Sequence, residues 1–90
     1  MALAVYKYLV DDQVALPRGA RILSVQIQND RLTLWALVDP AQPPVQCNFF
    51  VVGTGHVLPD KFAEFHYIGT AQHGPLVWHV FEEILGDDVH

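Results

Sequence analysis

At 90 residues the chain is one domain's worth of polypeptide, long enough for a single core yet on the marginal side of the surface-to-volume relation. Apolar residues make up 51%, which excludes a disordered or low-complexity chain. The formal net charge is −5, with Lys7, Arg18, Arg21, Arg31 and Lys61 the only cations. A nucleic-acid backbone calls for clustered cations, so no direct DNA or RNA partner is expected.

Ala4 to Val10 is a β-prone run with Tyr6 and Tyr8 on one face and Val5, Lys7 and Leu9 on the other. Asp11 to Ala20, with Asp11-Asp12, Pro17 and Gly19, reads as a loop. Arg21 to Gln28 alternates, Leu23, Val25 and Ile27 against Ser24, Gln26 and Gln28. Asn29-Asp30 both tolerate the left-handed conformation and predict a type I′ hairpin turn. Arg31 to Val38 returns with Leu32, Leu34, Ala36 and Val38 on one face and Thr33, Trp35 and Leu37 on the other. A strand apolar on both faces is central in a sandwich or sits at an interface.

Three prolines make Asp39 to Pro44 a rigid loop, and Val45 to Val52 is the next strand. Gly53 to Pro59 is a loop, and Asp60 to Glu64 has room for one helical turn capped by Asp60. Phe65 to Thr70 reads as a fifth strand ended by Gly69-Thr70, and Leu76 to Phe81 as a sixth, Leu76, Trp78 and Val80 opposing Val77, His79 and Phe81. The expectation is a single domain over residues 1–90: mainly β, a small antiparallel sandwich or barrel of about six strands.

Cys47 stands alone, which excludes a disulfide framework and a thiolate zinc cluster, and it reads as a small buried strand residue. His56, His66, His73 and His79 match no metal-ligand spacing, so no metal or other cofactor is expected. Ser24 lies in a regular strand and no GxSxG elbow occurs, so the reading is not an enzyme. No stretch reaches the length of a membrane span and the N-terminus lacks signal-peptide character, so the expected location is cytoplasmic. The apolar content, high for so short a chain, points to a homo-oligomer. The acidic runs Asp11-Asp12 and Glu82 to Asp88 read as solvated ends, or as an acidic face for a basic partner.

The candidate site is Gly53-Thr54-Gly55-His56, two glycines around a hydroxyl at the end of a strand. Such a loop either presents amides to an anion, as glycine-rich nests do, or is a tight turn in which Thr54 caps a neighbouring amide. Trp35 is the aromatic anchor expected beside it, and Trp35 with the Gly53 to His56 loop is the expected contact surface. A phosphorylated ligand needs arginine or lysine, and the supply is thin: Arg18 and Arg21, with Arg31, would have to be assembled by symmetry in an oligomer.

Leu34-Trp35-Ala36-Leu37-Val38-Asp39-Pro40, Gly53-Thr54-Gly55-His56, Tyr67-Ile68-Gly69-Thr70 and His79-Val80-Phe81-Glu82 together form a pattern. It resembles a family of short proteins encoded on bacteriophage and prophage genomes. Members carry a proline directly after the GTGH histidine, whereas Val57-Leu58 intervenes here before Pro59. The resemblance brings no activity and no catalytic residues. It implies action inside a host cell by binding: inhibition of a host defence complex through protein contact in the manner of an anti-CRISPR protein. The alternatives are an oligomeric sponge for a nucleotide immune signal, or a virion or assembly component.

Overall fold

The structure is a computed structural model that describes residues 2–58 and 64–84. The alternation along Arg21 to Val38 produces the hairpin it predicts. Strands β3 (Arg21–Gln28) and β4 (Arg31–Val38) pair antiparallel, and Asn29 and Asp30 take φ of 52° and 62° in the turn. Only Gly, Asn and Asp enter that left-handed region at modest cost. Strand β1 (Ala4–Leu9) lies along the other side of β4, completing a three-stranded sheet in the order β1-β4-β3. Opposed residues share a face: Tyr6 and Tyr8 sit opposite Ala36 and Leu34, while Val5 and Lys7 sit opposite Leu37 and Trp35. Leu34, Ala36 and Val38 are buried, so the Trp35 face is the outer one.

Residues 13–17, read as loop from the sequence, instead form strand β2 (Gln13–Pro17). Val14 and Leu16 are buried while Ala15 between them is exposed, because β2 lies on Pro44 to Asn48 of strand β5 (Pro44–Gly53). Pro17 is tolerated at the strand's end, where no ladder donor is needed. Strands β6 (Phe65–His73) and β7 (Leu76–Glu83) complete a second antiparallel sheet in the order β2-β5-β7-β6. The described residues thus hold seven strands and a β-sandwich of three and four. Strand β6 runs through Gly69-Thr70 rather than ending there, and a Cβ on Gly69 would touch Val25 of the facing sheet at 3.4 Å. Apart from Glu64, the expected helical turn falls outside the described residues.

One core joins the sheets. Leu16, Leu34, Val38 and Val80 are fully buried, and Val14, Val25, Cys47, Phe49 and Ala71 pack with them. Burying a Leu or Val side chain contributes about 1.5–3 kcal/mol. Two bulges break the regular alternation, between Ile22 and Ser24 in β3 and between Tyr67 and Gly69 in β6. The first takes Leu23 out of phase with Val25 and Ile27 and leaves it 50% exposed, where the sequence pattern had grouped it with them. The tips of the β3–β4 and β6–β7 turns meet at one end, with His73 Nε2 3.3 Å from Asp30 Oδ1.

Candidate functional site

Gly53 is the last residue of β5, opposite Trp78 of β7. Beyond it the chain turns tightly. The Thr54 amide donates to the Val77 carbonyl at 3.2 Å and the His56 amide to the Gly53 carbonyl at 3.1 Å. Gly55 takes φ +89°, which a side chain rarely adopts. Two amides of the loop are therefore taken by the chain's own carbonyls. The His56 ring folds back over Gly53, because a Cβ there would lie 2.8 Å from His56 Cε1 and 3.3 Å from Trp78 Cζ3. Glycine stands at 53 to make room for that ring.

The Thr54 side chain caps no amide. Its hydroxyl lies 2.7 Å from His79 Nε2, and Thr70 Oγ1 holds the other ring nitrogen, Nδ1, at 3.0 Å. Tyr67 Oη stands 2.6 Å from the same Thr70 oxygen. Thr70 and His79 are direct partners across β6 and β7, and Tyr67 and Phe81 another such pair, all on the outer face of the four-stranded sheet. In a neutral imidazole one nitrogen donates and the other accepts, and hydroxyls answer both. Aromatic rings flank the array, Phe81 meeting Tyr67 edge-on at 5.6 Å and Phe50 lying 5.3 Å from Phe65. The motifs Gly53 to His56, Tyr67 to Thr70 and His79 to Glu82, separate in sequence, thus converge. Sequence reasoning missed His79, Thr70 and Tyr67 as partners of Thr54; the one available signal was that all four lie in those motifs.

Trp35 lies elsewhere, on the outer face of the three-stranded sheet, opposite Lys7 of β1 and Ser24 of β3. Arg21 is on the same face opposite Leu37, and with Arg18, Leu3 and Asp39 it lines a hollow of about 530 Å³ at the margin. The structure therefore brings Arg18, Arg21 and Trp35 to one side. The Gly53 to His56 loop belongs to the other sheet, at the end of the β6–β7 turn, so one contact surface made of Trp35 and that loop is not assembled within a single chain.

Charge divides by sheet. Strands β1, β3 and β4 carry Lys7, Arg21 and Arg31 and no carboxylate, whereas β2, β5, β6 and β7 carry Glu82 and Glu83 and neither lysine nor arginine. Lys7 Nζ reaches over β4 to donate to Gln28 Oε1 at 2.7 Å, covering Thr33. Val5 at 55% exposure and Leu9 at 49% flank this row, so the face mixes apolar and cationic side chains. Among the described residues no group of His, Cys, Asp or Glu is arranged to hold a metal. His66 stands opposite Glu82 and is exposed, and His73 is engaged with Asp30.

Fold and site define an all-β sandwich with a basic aromatic face on one sheet and a hydroxyl–imidazole array on the other. The chain belongs to the family DUF7352, a domain of unknown function, whose model matches residues 1–88. Neither a curated protein nor a solved structure matches it. No helix among the described residues is long and apolar enough to cross a membrane.

Proposed function

We propose that this chain is a phage-encoded, non-enzymatic binding protein that inhibits a host protein complex, docking the outer face of its three-stranded sheet on an acidic surface. The division of charge between the sheets carries the reading. A chain of net charge −5 has Lys7, Arg21 and Arg31 on one sheet with Trp35 between them and Arg18 at the margin. A tryptophan framed by cations is the composition of an interface anchor for an acidic partner, and complementary charge speeds encounter as well as orienting it.

The test is capture from the infected host by chemical crosslinking, with wild type beside Trp35→Ala and Arg21→Glu, each shown folded by circular dichroism. A single stoichiometric host protein, lost in both variants, is the expected result. Equal recovery by all three would remove the Trp35 face from the proposal. A second reading has its own support, because Arg18 and Arg21 converge on the side that carries Trp35. Two guanidinium groups on one hollow suit a phosphorylated ligand, although Asp39 shares that lining. Native mass spectrometry of the protein purified from its host distinguishes the two: a bound nucleotide, in an oligomer, would favour the sponge.

A further inference from the structure

Strands β1 and β3 end one sheet and β2 and β6 the other. Bulges, prolines and outward lysines are the usual protections of such edges against foreign strands. Strand β3 is bulged between Ile22 and Ser24 and β6 between Tyr67 and Gly69, and β2 ends in Pro17. Strand β1 lacks these protections. Its residues, Ala4–Leu9, include no glycine or proline and pair with β4 in one unbroken register. Its one charge, Lys7, sends its ammonium across β4 to Gln28 of β3, away from the free edge.

The ladder fixes which backbone groups that edge presents. The Val10 amide donates to the Leu32 carbonyl at 3.0 Å, which continues the β1–β4 register by one pair. In an antiparallel ladder, alternate residues turn their amides and carbonyls the same way. Those of Ala4, Tyr6 and Tyr8 therefore face β4. Those of Val5, Lys7 and Leu9 point outward, where no strand among the described residues pairs with them. The side chains are open on both faces as well. Val5 and Leu9 are 55% and 49% exposed on the outer face, and Tyr6 is 45% exposed on the inner one. Ala36, directly opposite Tyr6 on β4, is fully buried.

We infer that β1 pairs antiparallel with β1 of a second copy of this chain, across a two-fold axis at Tyr6. Outward backbone groups must meet outward groups, and inner faces must stay inner, which leaves two registers near the strand's centre. One sets Lys7 against Lys7, and like charges directly opposite are destabilising. The other sets Tyr6 against Tyr6, Val5 against Lys7 and Leu3 against Leu9. It places two aromatic rings at a close, non-hydrogen-bonded position and lays the Lys7 stem along Val5. The arrangement closes on itself, each edge satisfying the other and leaving none to recruit a third copy. It covers on the order of 500 Å² of each chain, the low end for a specific interface, so the expected affinity is micromolar. The pairing stands apart from the docking of the Trp35 face, and its test needs no host component.

Sedimentation velocity of the full chain, from low micromolar to millimolar concentration, should show a monomer–dimer equilibrium. Hydrogen exchange over the same series should slow about tenfold at the amides of Val5 and Lys7 and stay unchanged at Tyr6 and Tyr8. Val5→Pro deletes an outward amide that β4 does not use, and should abolish the dimer. If that variant does not fold, Tyr6→Glu and Tyr6→Lys probe the axis. Each alone should associate at least tenfold more weakly than wild type, and an equimolar mixture should recover the dimer as opposite charges meet. Wild type that stays monomeric at millimolar concentration would overturn the inference. So would a dimer with unchanged exchange at Val5 and Lys7, a folded Val5→Pro that still dimerises, or a mixture no tighter than its components.

Discussion

Replacing Gly53 with alanine puts a methyl group where the His56 ring lies. The new Cβ would stand 2.8 Å from His56 Cε1, 2.9 Å from Nδ1 and 3.3 Å from Trp78 Cζ3. Carbon contacts settle at about 3.5–4.0 Å, so the ring must retreat by about 0.7 Å or more. Gly53 does not have a positive φ, and backbone strain therefore plays no part. His56 is exposed and Trp78 half-buried, so the imidazole is the group that swings away. The cost lies at the low end of overpacking, about 1 kcal/mol. In a domain of this size that lowers Tm by about 4–8 °C. His56→Ala clears the space, so Gly53→Ala made on that background should cost about 0.3 kcal/mol or less. The resulting coupling, about 0.7 kcal/mol or more, is what a double-mutant cycle reads. Thermal unfolding of the four proteins by circular dichroism provides the measurement. An equal cost of Gly53→Ala with and without His56 would refute the packing of that ring on Gly53 and return His56 to the loop as a free side chain.

Gly55→Ala should destabilise by about 1–2 kcal/mol through its positive φ, and His56→Ala should give no relief, since nothing lies within 4 Å of a Cβ there; the same unfolding assay checks it. Leu16→Ala should cost about 2–5 kcal/mol in urea denaturation, because Leu16 is fully buried in the core. A cost below about 0.5 kcal/mol would mean that β2 is a surface loop after all. Burial, and secondarily the neighbouring Tyr6, raises the Tyr8 pKa above its ordinary 10.0. Neutral Tyr8 is favoured in the folded state, so its contribution is whole below pH 10 and is lost as the pH rises through the raised pKa. Tm should fall across that window, and less steeply in Tyr8→Phe.

Much of the architecture was legible because it rests on short-range rules. The β3–β4 hairpin follows from Asn29-Asp30 and two alternating runs, and both faces of β1, β4 and β7 were assigned correctly from period two alone. Strand β2 was missed because Pro17 and Gly19 dominate its local composition, while its stability comes from Val45 and Cys47, about thirty residues away. Leu23 was misplaced because a bulge inserts one residue, and nothing in Ile22-Leu23-Ser24 announces it. In the candidate site, the sequence left a nest and a tight turn open for Gly53 to His56; the chain turns tightly there, and the partner of Thr54 is no amide but His79, 25 residues on.

By itself the sequence determined the class, the alternating faces and the hairpin turn, since side-chain period and turn stereochemistry are properties of neighbouring residues. Tertiary structure alone decided which faces became inner and outer, and that Lys7, Arg21 and Arg31 came to lie on one sheet. It also decided that Thr54, His79, Thr70 and Tyr67 joined hands, and that Glu82 became buried. Those outcomes depend on which strand pairs with which and in what register. A register is set by contacts between residues far apart in the chain, and a shift of a single residue would have sent every one of these side chains to the opposite face.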